Sequence, residues 1–333
     1  MTLRRITFCC NASTRIGGGH VMRCISLAKA YLRAGYECVF ICNKEAESMI
    51  PQLSDFEVFT EGTYIHTDIV VIDNYDWEEN YEKKWRKYAK LITVIDDLAN
   101  RSHDCDVLID MTFGRQASDY KDFVASDATL LVGHEYIILR PQFSEYRQKA
   151  FQKRQNTSEI ENILISFGMT NPDQVTERAL QSVMDFKRWP LNISVVMGKD
   201  AQTIDDVKAL THVKSMHDIS LNLNVSNMAE YIYRADMAIG ASGTASWERC
   251  CLGLPSLQYI IADNQRLVAQ NLEEAGAIIN LGKLENTFSE KLTSDFAQII
   301  QNPEKLKEMA VKAYSICDSL GAERIIQEIS RRQ

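Results

Sequence analysis

A histidine directly follows three consecutive glycines near the start of the chain, in Ile16-Gly17-Gly18-Gly19-His20-Val21-Met22-Arg23-Cys24. Histidine titrates closest to neutral pH, so a neutral imidazole at this point can take a proton from water. Glycines let the backbone approach a ligand closely and reach positive φ. The start of a helix offers unpaired N–H groups that favour anions. The run is not a dinucleotide fingerprint, because Met22 stands where the third glycine of G-x-G-x-x-G belongs. It is not a P-loop either, since no Gly-Lys-Ser/Thr follows. The plain alternative for His20 is a polar residue at a helix start.

A second cluster repeats this physics. Ser242-Gly243-Thr244-Ala245-Ser246-Trp247-Glu248 follows an apolar run and opens a helical pattern that stops near Gly253-Leu254-Pro255. Its backbone N–H groups and two hydroxyls suit a diphosphate; the plain alternative is N-capping by Ser242 or Thr244. Glu248 cannot complete a capping box, because position 245 is Ala. Ribose hydroxyls would give this carboxylate a partner, and an ordinary first-turn Glu is the alternative. Asn264 and Gln265 follow another strand end and can bond sugar oxygens or cap a helix. Tyr75 reads equally as a ligand contact or a surface aromatic.

Other constellations are weaker. Asp104-Cys105-Asp106 spells D-x-D, but Asp106 lies inside a strand pattern, and no metal site is expected there. Asp96-Asp97 is better explained by loop hydrogen bonding than by a cation. His66, His103, His134, His212 and His217 form no H-x-x-x-H pair, and no G-x-S-x-G elbow is present.

The elements that would position these groups alternate between strand and helix. Arg5 to Cys10, Glu37 to Cys42, Asp68 to Asp73, Leu91 to Asp96, Cys105 to Asp110 and Thr129 to Val132 read as strands, several of them continuous apolar runs covered on both faces. Val21, Ile25, Ala28 and Leu32 share one helix face, with Gly35 as the stop. A further helix is expected around Tyr81 to Ala89. Pro141 to about Ser158 is polar without an apolar period and reads as a connection between domains. The alternation restarts with Asn162 to Phe167, after which Gly168 opens a loop to Asn171-Pro172. Asn192 to Met197, Asp236 to Gly240 and Ser256 to Ile260 come next, and the remainder reads as helical. Strands of this kind separated by helices predict α/β architecture with parallel, doubly wound sheets, whose ligands sit beyond the carboxyl ends of the strands. That makes Asn11, Ser13, Asn74, Tyr75, Asp96 and Asp97 candidates. Two such halves predict a ligand cleft between domains.

With 333 residues the chain suits two domains. A net charge of −8 argues against nucleic acid or a membrane surface as partner. The nine cysteines include two adjacent pairs and no C-x-x-C, which fits reduced, buried thiols in a cytoplasmic protein better than disulfides or zinc. The basic, then apolar start is too short for a signal peptide, and no run approaches a membrane span.

Several of these pieces, in order, resemble the UDP-sugar hydrolases of pseudaminic acid biosynthesis, the PseG/SpsG group. They are Asn11-Ala12-Ser13 with Ile16 to Cys24, Asp96-Asp97-Leu98-Ala99-Asn100-Arg101 with His103, Leu139-Arg140-Pro141, and Ser242-Gly243-Thr244 through Asn264-Gln265. The resemblance runs from about residue 5 to about residue 280. It implies a GT-B-like fold related to MurG, with two Rossmann-like domains over 1–145 and 158–333. It implies hydrolysis of UDP-2,4-diacetamido-2,4,6-trideoxy-β-L-altropyranose to UDP and free sugar, by inverting attack of water at the anomeric carbon, with no metal and no organic cofactor. His20 would be the general base. Gly18, Gly19, Arg23, Asn11, Ser13, Tyr75, Asn264 and Gln265 would contact the sugar, and Gly168, Ser242, Gly243, Thr244 and Glu248 would hold UDP. The chain departs from the family at Asn11 and Asn171, where the family has aspartates beside the expected cleft.

The expectation is a monomeric hydrolase whose partner is a small-molecule UDP-sugar. The alternatives are a glycosyltransferase of the same architecture and a non-catalytic binder of nucleotide sugars.

Overall fold

Apolar runs bounded by glycine, proline and charged residues become strands buried on both faces. In the computed structural model, which describes residues 4–169, 171–199, 201–285 and 287–332, the chain first forms β1 (Arg5–Cys10), α1 (Gly19–Arg33), β2 (Glu37–Cys42), α2 (Lys44–Met49), β3 (Glu57–Thr60), β4 (Thr67–Asp73), α3 (Glu79–Trp85), β5 (Ala89–Ile95), β6 (Val107–Asp110) and β7 (Thr129–Val132). Next come α4 (Pro141–Asn156), β8 (Asn162–Ser166), α5 (Val175–Met184), β9 (Asn192–Met197), α6 (Ile204–Thr211), β10 (Asp218–Leu223), α7 (Met228–Arg234) and β11 (Met237–Ala241). The chain continues through α8 (Ala245–Cys251), β12 (Ser256–Ile260), α9 (Arg266–Glu274), β13 (Ile278–Lys283), α10 (Phe288–Ile299), α11 (Pro303–Ile316) and α12 (Gly321–Ser330).

Two units result, one from residues up to 140 together with those from 319 onward, the other from 141 to 318. The first holds a seven-stranded sheet in the order β3-β2-β1-β4-β5-β6-β7, the second a six-stranded sheet in the order β10-β9-β8-β11-β12-β13. All strand pairs within both sheets are parallel. In each sheet the winding direction reverses once, between β1 and β4 and between β8 and β11. Open parallel sheets bind ligands beyond the carboxyl ends of the strands at such reversals.

In the first unit, Ile41, Val70, Ile72, Trp85, Ile92 and Leu108 belong to one apolar cluster. On α1 the predicted face holds for Val21, Ile25 and Ala28, all buried, but Leu32 is 45% exposed. Tyr31 takes the buried position in that last turn, its ring 6.5 Å from Phe8 and 5.2 Å from Tyr36. In the second unit, Ile163, Ile165, Leu180, Val195, Ile239, Leu257 and Phe296 centre the larger cluster.

Four stretches differ from the sequence expectation. β3 and β10, short and half-exposed at sheet edges, escape a search for apolar runs. β13 interrupts the stretch read as helical to the end. Residues 141–156, read as a connection, form α4 instead. That helix buries Phe143 and Ala150 and stacks Phe151 on Tyr314, but cations share the same face and dilute its apolar period. Arg147 donates to the carbonyls of Cys251 (2.6 Å) and Tyr314 (3.0 Å), while Arg154 donates to Ile232 (2.6 Å). Lys153 reaches the Arg234 carbonyl (2.5 Å) and Asp236 Oδ1 (2.7 Å). These contacts complete the carbonyl ends of α7 and α8 and meet α11 near its end, where positive charge is favourable.

α12 belongs to the first unit. Its Gly321 lies so close to the backbone of Tyr136 and Ile137 that an added Cβ would stand 2.3 Å from the Ile137 carbonyl oxygen. Arg324 donates to the Glu135 carbonyl at 2.8 Å, and Arg332 to the Asp106 carbonyl at 2.8 Å. All nine cysteines are free and buried. Among the described residues, no helix is long and apolar enough to cross a membrane.

One buried histidine makes stability depend on pH. His217 accepts from the Leu191 N–H through Nδ1 (3.1 Å) and donates from Nε2 to the Phe186 carbonyl (2.8 Å), which requires the neutral ring. Burial, aided by Lys187, pulls its pKa below the ordinary value, although the Phe186 carbonyl opposes this. The unfolded chain therefore binds this proton at higher pH than the folded one. The contribution is complete above about pH 6.5 and is lost as pH falls through the folded pKa. Denaturant midpoints should fall on acidification through this window. His217→Phe should remove that part of the slope and cost about 1–3 kcal/mol for each buried group it strands.

Candidate functional site

The groups that could do chemistry in the first unit gather at the β1/β4 reversal. The turn after β1 closes on itself: Gly17 N–H donates to the Ser13 carbonyl (2.8 Å), and Ile16 N–H to Ser13 Oγ (3.2 Å). Only Gly17 of the three glycines needs the left-handed region (φ +76). Gly18 precedes the helix and Gly19 starts it, so His20 is the second residue of α1.

Asp73, the last residue of β4, holds both His20 and Arg23. Its Oδ1 lies 2.6 Å from His20 Nδ1 and accepts from Arg23 Nη2 at 2.6 Å, while its Oδ2 accepts from Arg23 Nε at 2.5 Å. Asp73 is fully buried, His20 is 6% exposed and Arg23 is 5% exposed. Burial alone would raise the Asp73 pKa, but the charge of Arg23, with His20 beside it, holds the carboxyl well below the usual carboxylate range. An ionised Asp73 can only accept, so His20 Nδ1 carries the proton and Nε2 the lone pair. Nε2 makes no hydrogen bond to any described residue. Tyr75 packs its ring edge-on to the imidazole, with centroids 4.4 Å apart. Carboxylate, oriented imidazole and an available Nε2 form the arrangement that general-base catalysis requires.

Asp73 belongs to a series. Three adjacent strands lead into Ile-Asp, at Asp73, Asp96 and Asp110, and each buried carboxylate is paired with an arginine. Arg23 holds the first, Arg101 the second (2.6 Å) and Arg115 the third (2.9 Å). The Tyr120 hydroxyl lies between the last two, 2.9 Å from Asp96 Oδ2 and 2.8 Å from Asp110 Oδ2, and its one proton serves either. Asp97 accepts from Arg23 Nη1 at 2.9 Å. The D-x-D carboxylates, Asp104 and Asp106, both bind Arg86.

Several predicted contacts have other tasks here. The Arg23 guanidinium, expected against sugar, is engaged by Asp73 and Asp97. Ser13 closes the glycine turn. Asn11 Oδ1 accepts from the Asn43 N–H (2.9 Å), tying β1 to the start of α2; an aspartate would offer the same acceptor. Asn171 is not a group facing open space. It is 2% exposed, accepts from Thr176 N–H (3.0 Å), and donates to Glu177 Oε2 (2.8 Å) and Thr203 Oγ1 (2.9 Å). An aspartate there would set two carboxylates against each other.

In the second unit the predicted groups meet at the β8/β11 reversal. Gly168 follows β8 with φ +99 and is exposed. Ser242, Gly243 and Thr244 follow β11. The capping explanation for their hydroxyls fails: Thr244 makes no side-chain cap, and the buried Ser242 Oγ has no partner among the described residues. Gln265 comes to the same loop, its Nε2 lying 3.3 Å from where a Cβ on Gly243 would stand, while its Oε1 accepts from Ile261 N–H (3.1 Å). Asn264 is exposed beside it, and Glu248 is half-buried one turn into α8.

Sequence reasoning missed two residues. Asp73 reads there as no more than a strand terminus, though an aspartate ending a fully apolar run announces a buried charge in need of a partner. Arg249, buried beneath the Ser242 loop, leaves a similar trace in Trp247-Glu248-Arg249-Cys250-Cys251, a charge amid buried residues.

The two parallel-sheet Rossmann-like units define an α/β protein of the GT-B kind. Its fold is similar to that of MurG from Acinetobacter baumannii, with a TM-score of 0.70 and 16% identity, covering 98% of this chain and 99% of that one. Residues 148–329 match the glycosyltransferase family 28 C-terminal domain, and the chain belongs to that family. Homologues include the spore coat polysaccharide biosynthesis protein SpsG of Bacillus subtilis, 24% identical over 86% of both chains. They also include the UDP-2,4-diacetamido-2,4,6-trideoxy-β-L-altropyranose hydrolase of Campylobacter jejuni, 23% identical over 45% of this chain and 57% of that one. An uncharacterized protein of Methanocaldococcus jannaschii is 27% identical over 75% of this chain and 54% of its own length. The chain thus spans little more than half the length of two of these three relatives.

Proposed function

We propose that this protein hydrolyses a UDP-linked diacetamido-trideoxy hexose to UDP and the free sugar. The observation that carries the reading is the His20 imidazole, held by Asp73 so that Nε2 presents its lone pair. The homology to the Campylobacter hydrolase supports the substrate class. In the proposed step, a water oxygen attacks the anomeric carbon as its proton passes to His20 Nε2. The bond from that carbon to the β-phosphate oxygen breaks, its electron pair leaves with UDP, and the anomeric configuration inverts. UDP leaves readily once its charge is stabilised, so the step needs donors at the diphosphate more than a strong acid. The Ser242–Thr244 loop is the proposed holder of that diphosphate, with Glu248 on the ribose and Tyr75, Asn264 and Gln265 toward the sugar.

Transfer to an acceptor alcohol is the second reading, favoured by the family 28 domain. Incubation with the UDP-sugar in ¹⁸O-water, with and without acceptor alcohols, separates the two. Hydrolysis at carbon places the label in the free sugar. Label in UDP would mean attack at phosphorus and remove the role of His20. Turnover only with an acceptor would establish transfer.

A further inference from the structure

Arg249 is a buried cation without a counter-ion. It is 3% exposed, and no carboxylate among the described residues lies within salt-bridge distance. Its Nη2 donates to the Ala241 carbonyl (2.5 Å) and to Ser246 Oγ (3.2 Å), and its Nε has no partner. Burial pulls its pKa below the ordinary value, against the fields of the Cys250 thiol and of Glu248. A Cβ on Gly240 would stand 2.4 Å from the Ser166 carbonyl oxygen and 2.9 Å from Arg249 Nη1, so the guanidinium runs close along β11. Ser246 is itself held by Gln258 (2.8 Å), which donates to Ser256 (2.8 Å).

The other fully buried guanidinium of this unit shows what is unusual. Arg154 also has an Nε unpartnered among the described residues and also feels one carboxylate at a distance, Asp236, but its donors meet carbonyls at the end of α7, a negative helix pole. Arg249 instead binds the carbonyl at the end of a strand, next to Ser242, whose buried hydroxyl also lacks a partner. An unpaired buried charge is costly, and buried hydroxyls are normally satisfied. Both defects adjoin the loop proposed for the diphosphate, and an anion there would repair both.

We infer that Arg249 is a positioning residue that supplies, from beneath the Ser242–Thr244 loop, the positive field balancing a nucleoside diphosphate. This rests on the reading of that loop as the UDP site. It assigns the selectivity for diphosphate over bare nucleoside to a residue the ligand does not need to touch. It also makes the charge a burden on the empty protein, since replacing an uncompensated buried ion by an apolar group of similar volume relieves desolvation.

The test compares wild type, Arg249→Met and Arg249→Gln, reading Kd for UDP and for uridine by ligand-observed NMR, together with thermal midpoints of the empty proteins. Both variants should bind UDP about 10- to 100-fold more weakly and bind uridine as wild type does, and Arg249→Met should unfold at the same or a higher temperature. If wild type does not bind UDP, the nucleotide reading itself falls, and this inference with it. Unchanged UDP affinity in the variants overturns the inference alone. Equal weakening of UDP and uridine would mean a misshapen loop, and failure of both variants to fold would make Arg249 structural; either result overturns it.

Discussion

Replacing His20 by alanine is expected to lower the hydrolytic kcat by about 10²–10⁴-fold, the usual worth of a positioned general base. The Kd for UDP should stay unchanged, because the proposed diphosphate loop lies in the other unit, over residues 242–244. A loss of that kind, in kcat and kcat/KM together, marks an interaction made only in the transition state. Steady-state kinetics with the UDP-sugar and calorimetry with UDP check the two halves separately. Equal losses of binding and rate would mean that His20 supports the structure of the site rather than the reaction.

Asp73→Asn carries the second large effect. Asparagine fills the same volume, but its amide can donate to His20 Nδ1, which the carboxylate cannot. The imidazole would then settle with its proton on Nε2, the atom that has to accept one. A tautomer reversed in this way costs on the order of 10³–10⁴-fold in rate. The substitution also strips the buried Arg23 of the carboxylate that binds it twice, leaving Asp97 as its remaining acid partner. Removing one partner of a buried pair costs about 3–5 kcal/mol, so the variant should also unfold at lower denaturant. The two consequences separate in a double mutant. If Asp73 acts through His20, His20→Ala with Asp73→Asn should be no slower than His20→Ala alone, while still losing stability. Multiplying rate losses would show Asp73 acting independently of the imidazole.

Much of the frame around these residues can be read from the chain alone, for physical reasons. β1, β2, β4 and β9 are apolar runs with charged or glycine boundaries, and β1 leads through a turn that only glycine can make. His20 stands out because its type is rare and its neighbours are not. Asp73 does not stand out, since its meaning depends on Arg23, fifty positions away in sequence. The edge strands β3 and β10 are invisible because one or both faces meet solvent and carry no apolar run. α4 escapes because Arg147, Lys153 and Arg154, which bind carbonyls, are interleaved on its inward face with Phe143, Ala150 and Phe151, and this breaks up the apolar period. Asn171 stands where the resemblance expects an aspartate beside a cleft, whereas Thr176, Glu177, Gln202 and Thr203 hold it as an internal brace.

The first unit is assembled from two stretches of chain, and this sets an order of events on the ribosome. Its sheet is fully synthesised by Val132, yet α12, with Gly321 pressed on Ile137 and Arg332 on the Asp106 carbonyl, emerges only after the whole second unit has been made. At usual rates of translation that interval is roughly 10–40 s. Throughout it the nascent first unit lacks the helix that packs on α1 and on the turn at residues 134–137, and the second unit, continuous in sequence, can finish folding first. A lesion in α12 would therefore be felt around β6 and the turn at Ile137, in the oldest part of the polypeptide.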